Sequence, residues 1–147
     1  MKVTLERIND EYLFEAKGTS DIPVLIDNKG NDVVKGSSPM ELLLMGIGGC
    51  SAIDIILILK KQHQEITSYK MVVEGIRKEE KEAKPFKEAK VVIYLEGSID
   101  VAKAIRAADL SFEKYCSVSI TLEPNVTINY EIILNGEKIW VILKHLP

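Results

Sequence analysis

Apolar and polar residues alternate along the first third of the chain. Val3 and Leu5 lead to Arg7 before an Asn9-Asp10 turn signal. Tyr12, Phe14 and Ala16 follow, ahead of Gly18, and a third run from Ile22 to Ile26 stops at Asp27-Asn28-Lys29-Gly30. Period-two runs separated by turn residues predict a meander of short antiparallel strands.

The next element is of another kind. From Leu42 to Leu59 nearly every residue is apolar or small. Its start is marked by Ser38-Pro39-Met40-Glu41, a capping box with Ser38 as N-cap and Pro39 in the first helical position. The run approaches the length of a membrane span, but Asp54 and three glycines (Gly46, Gly48, Gly49) interrupt it and Lys60-Lys61 end it. It therefore reads as a buried helix, apolar nearly all round. Three helical glycines cost about 3 kcal/mol relative to alanine. Gly46 and Gly49 share a face and would offset that by letting another backbone approach. A chain of this length covers such a helix most simply with a second copy of itself.

Two further strands are predicted at Tyr69–Ile76 and Lys87–Leu95, joined through a charged stretch, Arg77 to Lys84, that reads as a solvated hairpin tip. Asp100 caps a helix carrying Val101, Ala104, Ile105, Ala108 and Leu110 at helical spacing. Ser117 to Leu122 is ambiguous. Its β-branched residues favour a strand, whereas Cys116, Ser119 and Ile120 can share a helical face. Val126–Leu134 and Ile139–Leu143 read as strands around an Asn135-Gly136 type I′ turn. There is no internal repeat and no domain-dividing linker, so residues 1–147 read as a single α+β domain.

Composition narrows the function classes. The 147 residues are 46% hydrophobic and 28% charged, which suits a globular core and excludes a disordered or fibrous chain. A formal charge of -3 and 6% aromatic content argue against nucleic-acid binding by a basic face or a base-stacking platform. The first seven residues carry no apolar signal-peptide core, so the expected location is cytoplasmic and no membrane partner is expected. Two cysteines do not make a secreted disulfide scaffold.

Few residues are left to carry chemistry. There is no P-loop and no nucleophile elbow, and Gly46-Ile47-Gly48-Gly49 lies within a helix rather than after a strand. His63 and His145 do not pair with a cysteine at zinc-site spacing, so no metal is expected. His63 falls at a helix end, where it can favour the terminal carbonyls. The thiols remain. Cys50 lies mid-helix, with Gly46 one turn before it and Asp54 one turn after; Cys116 lies near Lys114 at a junction of apolar segments. If a helix starts at Ser117, its dipole would favour a Cys116 thiolate. Two unrelated core cysteines satisfy the same pattern.

The run Ser38-Pro39-Met40-Glu41 to Gly48-Gly49-Cys50-Ser51-Ala52-Ile53-Asp54 resembles the central-helix motif of the OsmC/Ohr superfamily, most closely the OsmC-like branch. Asp109-Leu110-Ser111-Phe112-Glu113-Lys114-Tyr115-Cys116-Ser117-Val118 is similar to that branch's second-cysteine motif. The resemblance implies an intertwined homodimer with antiparallel sheets wrapped around long central helices. It also implies a thiol-dependent peroxidase for organic hydroperoxides, without cofactor. Cys50 would be the peroxidatic and Cys116 the resolving cysteine, with an external dithiol or lipoyl-type reductant.

Two positions depart from the superfamily pattern. The glutamate that follows the proline in its well-studied members is Met40 here, with Glu41 one residue further on, and Arg7 is the one arginine in the N-terminal strands. Arg7, Glu41, Asp54 and Lys114 are thus the supporting candidates. A charged Asp54 one turn from Cys50 would oppose thiolate formation. The alternative reading is a non-enzymatic dimer of the same fold that senses oxidation or holds a small apolar ligand.

Overall fold

The computed structural model describes residues 1–30, 32–79 and 82–142. The chain forms two compact units, Met1–Leu43 and Leu44–Pro147. The first holds the predicted meander: β1 (Thr4–Arg7), β2 (Phe14–Lys17) and β3 (Pro23–Ile26), paired antiparallel in the order β1-β2-β3.

The long helix α1 (Pro39–Lys61) begins where the capping box places it. The Glu41 carboxylate accepts from the Ser38 N–H at 2.9 Å and the Ser38 hydroxyl at 2.9 Å, while the Glu41 N–H donates back to Ser38 Oγ at 3.4 Å. Lys29 Nζ lies 2.5 Å from the same carboxylate. Its hydrogen bond, followed by those from Ser38, pulls the Glu41 carboxyl from the ordinary 4.5 down to about 2. A carboxyl depressed on folding contributes stability above its unfolded value and loses it as pH falls through the folded one. Between pH 4.5 and about 2, Glu41→Gln should therefore flatten the acid limb of the stability curve. Superimposable urea-midpoint profiles for the two proteins across that window would refute this assignment.

At its other end α1 stops in a Schellman motif: the His63 N–H donates to the Lys60 carbonyl and the Gln64 N–H to that of Leu59, both at 3.0 Å. His63 has φ 57°, the left-handed conformation that glycine usually supplies there. It thus satisfies the last carbonyls through its backbone rather than through an imidazolium.

The second unit is built on the sheet β4-β5-β6-β7, from β4 (Glu65–Arg77), β5 (Phe86–Ser98), β6 (Thr127–Leu134) and β7 (Glu137–Ile142). β4 and β5 pair antiparallel, and the Lys78 N–H reaches the Pro85 carbonyl at the base of the expected hairpin tip; Glu80 and Lys81 in that tip lie outside the described residues. The expected antiparallel pattern changes at β5 and β6, which run parallel. A helical crossover joins them: α2 (Val101–Leu110), a π-helical turn (Ser111–Tyr115) and α3 (Ser117–Leu122). The ambiguous Ser117–Leu122 segment is helical. Asp100 caps α2 as expected, accepting from the Lys103 N–H at 3.0 Å.

Asn135 and Gly136 both have positive φ, as a type I′ turn requires. The Asn135 side chain makes two hydrogen bonds to the Gly97 backbone, fixing the turn against the end of β5. The return strand was expected to reach Leu143, which lies outside the described residues, as does His145.

Register places Met71, Ile93 and Ile132 in one row and Val73, Val91 and Tyr130 in the next. α1 packs on this face through Gly48, where an added Cβ would stand 3.3 Å from Val73 and 3.6 Å from Met71. Gly46 faces Val118 of α3 at 3.4 Å, whereas Gly49 meets nothing within 4 Å. The expected Gly46–Gly49 contact face is therefore divided within the chain, because the two residues look toward different surroundings. Within the single chain α1 is covered on one side: Ile47, Ser51, Ile55 and Leu59 are buried, while Met45, Gly49, Ile53 and Leu57 form an exposed stripe. By length and composition α1 also meets the requirement for a membrane span, a property shared by core helices of soluble proteins.

Candidate functional site

The two cysteines converge within the second unit. Cys50 is carried mid-way along α1 and is half-buried; Cys116 sits between the π-helical turn and α3 and is fully buried. Asp54, one helical turn beyond Cys50, lies on the same side of α1. The two sulfurs and an Asp54 carboxylate oxygen lie within 4.8 Å of one another. Both cysteines are free thiols.

The crossover positions Cys116. Phe112 stacks on Tyr130 of β6 with ring centroids 4.4 Å apart and an interplanar angle of 19°. The Tyr130 hydroxyl donates to Asp109 Oδ1 at 2.7 Å. Burial, reinforced by that carboxylate, pushes the phenol well above its ordinary range, so it remains a donor. The π-helical turn then closes with the Cys116 N–H donating to the Ser111 carbonyl at 2.8 Å.

Two serines complete the site. The Ser119 hydroxyl donates to Cys116 Sγ at 3.0 Å. Ser111 Oγ lies 3.3 Å from Asp54 Oδ2 and 3.4 Å from the Ser51 carbonyl, linking the crossover to α1. Ser119 could have been found from its i+3 spacing to Cys116. Ser111 could not, because its reach depends on a π-helical turn that no periodicity marks.

Electrostatics at Cys116 depart from the expected helix-dipole effect. Burial pushes this thiol up, and the adjacent Cys50 adds to the shift. Hydrogen bonding to Ser119 opposes it without cancelling it. The six-residue α3 offers too little dipole to overcome desolvation.

The other candidates are engaged elsewhere. Lys114 is exposed, with Nζ 5.3 Å above the Tyr115 ring. Glu41 belongs to the capping box already described. The exposed Arg7 donates to the Asp10 and Glu11 backbone carbonyls, tying together its own hairpin. Among the described residues the converging set Cys50, Asp54 and Cys116 contains no histidine, so Cys/His spacing carries no signal of it.

The OsmC-like protein family matches residues 30–131, a span that includes both cysteines and Asp54. This chain belongs to the OsmC-like protein family. It is 37% identical to Protein YhfA of Escherichia coli K12 over 123 residues, covering 82% of this chain and 90% of YhfA. A crystal structure of an Aquifex aeolicus VF5 protein is 33% identical, covers 91% of this chain and 96% of that one, and superposes with a TM-score of 0.77. The organic hydroperoxide resistance protein OhrB of Bacillus subtilis has a TM-score of 0.61 at 18% identity, covering 89% and 96% of the two chains. That likeness establishes the shared OsmC/Ohr fold. For this OsmC-like chain, family membership and two neighbouring thiols together point to a redox-related role.

Proposed function

We propose that this chain is a cysteine-based peroxidase that reduces organic hydroperoxides through Cys50 and Cys116. The convergence of these two thiols from distant segments carries the reading. Cys50 is the more accessible and meets the peroxide first; Cys116, whose thiol burial pushes up, waits behind it. The Cys50 thiolate attacks a peroxide oxygen and the O–O bond breaks. The alcohol leaves with a proton, and Cys50 becomes a sulfenic acid. The Cys116 sulfur then displaces that oxygen as water, forming a disulfide. An external dithiol of lipoyl type restores both thiols by two exchanges. Overall, two thiols and a hydroperoxide give a disulfide, an alcohol and water, with no cofactor.

The same reading treats the chain as one domain of an intertwined homodimer in the cytoplasm. The exposed stripe Met45, Gly49, Ile53 and Leu57 supports a second copy as the cover for α1. The likeness to OhrB, itself an organic hydroperoxide resistance protein, supports the substrate class.

One observation favours a redox-sensing module without turnover: Arg7 and Glu41, the candidates for activating a thiolate, are both engaged by their own neighbours. Thiol titration and intact mass after one equivalent of cumene hydroperoxide test the chemistry. Loss of both thiols as an intramolecular disulfide, reversed by dithiothreitol, is expected. Thiols that stay free would refute both redox readings, and continuous consumption of peroxide with a lipoyl dithiol separates peroxidase from sensor.

A further inference from the structure

We propose that Cys50, Asp54 and Cys116 form a binding site for a thiophilic divalent cation, with zinc as the representative ion. The starting point is Asp54, which the peroxidase reading leaves unexplained. Asp54 has no part in that chemistry, although it stands one helical turn from Cys50. Yet Asp54 is half-buried, and among the described residues it has no ion-pair partner; its side-chain contact is with the neutral hydroxyl of Ser111. A divalent cation held by the two sulfurs would supply the missing positive charge.

The geometry suits such an ion. The three donor atoms lie within 4.8 Å of one another. Tetrahedral zinc, with bonds of about 2.3 Å to sulfur and about 2.0–2.2 Å to oxygen, holds such donors roughly 3.5–3.8 Å apart. Closure by about 1 Å would therefore complete the set. Cys50 and Asp54 project from adjacent turns of α1, Cys116 is anchored through its N–H to Ser111, and Ser111 Oγ orients the carboxylate. An outer hydroxyl that fixes a ligating carboxylate is a common feature of metal sites. Cys50 is half-buried rather than enclosed, and tetrahedral zinc with three protein ligands takes a water as its fourth.

Binding needs no redox partner. The ion takes the two sulfurs as thiolates, two protons leave to solvent, and no electron moves. Reduced protein offers three ligands, whereas a Cys50–Cys116 disulfide would offer the carboxylate alone. Metal and peroxide thus compete for Cys50. The site itself does not depend on peroxidase activity.

The test is a zinc chloride titration of metal-free, fully reduced protein against a chromophoric chelator, with proton release and iodoacetamide labelling followed in parallel. One zinc per chain, two protons released and protection of both thiols are expected. Asp54→Asn should weaken zinc binding by about tenfold or more, and Cys50→Ser or Cys116→Ser by more than Asp54→Asn. The protection measurement uses the unaltered chain, so it stands even if a variant fails to fold. No zinc uptake, or uptake that leaves both thiols open to alkylation, overturns the proposal. Equal affinity in the folded Asp54→Asn variant removes the carboxylate from it. Peroxide consumption measured without zinc separates failure here from failure of the peroxidase reading.

Discussion

Cys50→Ser should reduce hydroperoxide turnover to the uncatalysed rate, a loss of at least about a thousandfold, because a serine hydroxyl in its place is neither ionised nor nucleophilic toward peroxide. Cys116→Ser should behave differently. Its Cys50 can still be oxidised, so about one equivalent of peroxide is consumed before the reaction stalls. The stalled protein should carry a sulfenic acid, or a mixed disulfide if another thiol is present. Rapid-quench peroxide measurements and intact mass distinguish the two variants. Retained steady-state turnover in Cys50→Ser would dismiss that thiol as nucleophile; retained turnover in Cys116→Ser would dismiss the resolving step. The asymmetry follows from burial, since Cys116 is fully enclosed and Cys50 is not.

Ile53→Lys should convert the proposed dimer to a monomer. Ile53 is 69% exposed in the single chain and sits at the middle of the stripe formed by Met45, Gly49, Ile53 and Leu57. In a two-fold interface every substitution occurs twice. Fully burying an isoleucine side chain is worth about 1.5–3 kcal/mol, so two such losses amount to about 3–6 kcal/mol. That corresponds to roughly a hundredfold to ten-thousandfold in the dimer constant, before the cost of desolvating two ammonium groups. Sedimentation equilibrium at micromolar protein checks it. A monomeric unaltered chain, or a variant that stays dimeric, would remove the α1 stripe as the interface.

Much of the fold was legible where local chemistry determines local structure. Ser38 and Glu41 announce the start of α1, Asp100 the start of α2, and Asn135-Gly136 the last hairpin turn, because each depends on hydrogen bonds or backbone angles within a few residues. The parallel pairing of β5 and β6 was not legible. Strand direction there is decided by the crossover, not by either strand's own sequence. The helicity of Ser117–Leu122 was likewise set by tertiary surroundings: Val118 packs against the gap left by Gly46, an accommodation invisible to propensity.

The site divides in the same way. Cys50 and Asp54 could be placed together from helical spacing alone. Their meeting with Cys116 came into view only through the motif resemblance and then the structure. Lys114 and Arg7 show the limit of proximity in sequence as a guide, since each side chain settles on its nearest favourable partner, an aromatic ring or two carbonyls. Serine 111 was hidden because the π-helical turn displaces it from the positions that regular helical counting would give.

The parallel β5–β6 pairing also bears on how the chain folds. β6 meets β5 only across the intervening crossover, which makes the pairing non-local and gives it a loop-closure entropy cost. Cys116 travels with that crossover, whereas Cys50 belongs to the helix that precedes the sheet. A nascent or partly unfolded chain therefore holds its sulfurs on segments that have not yet met. Oxidant reaching such a chain encounters two separate thiols, prone to bridge different molecules, so under the proposed redox chemistry an intramolecular pair would mark a chain that has folded.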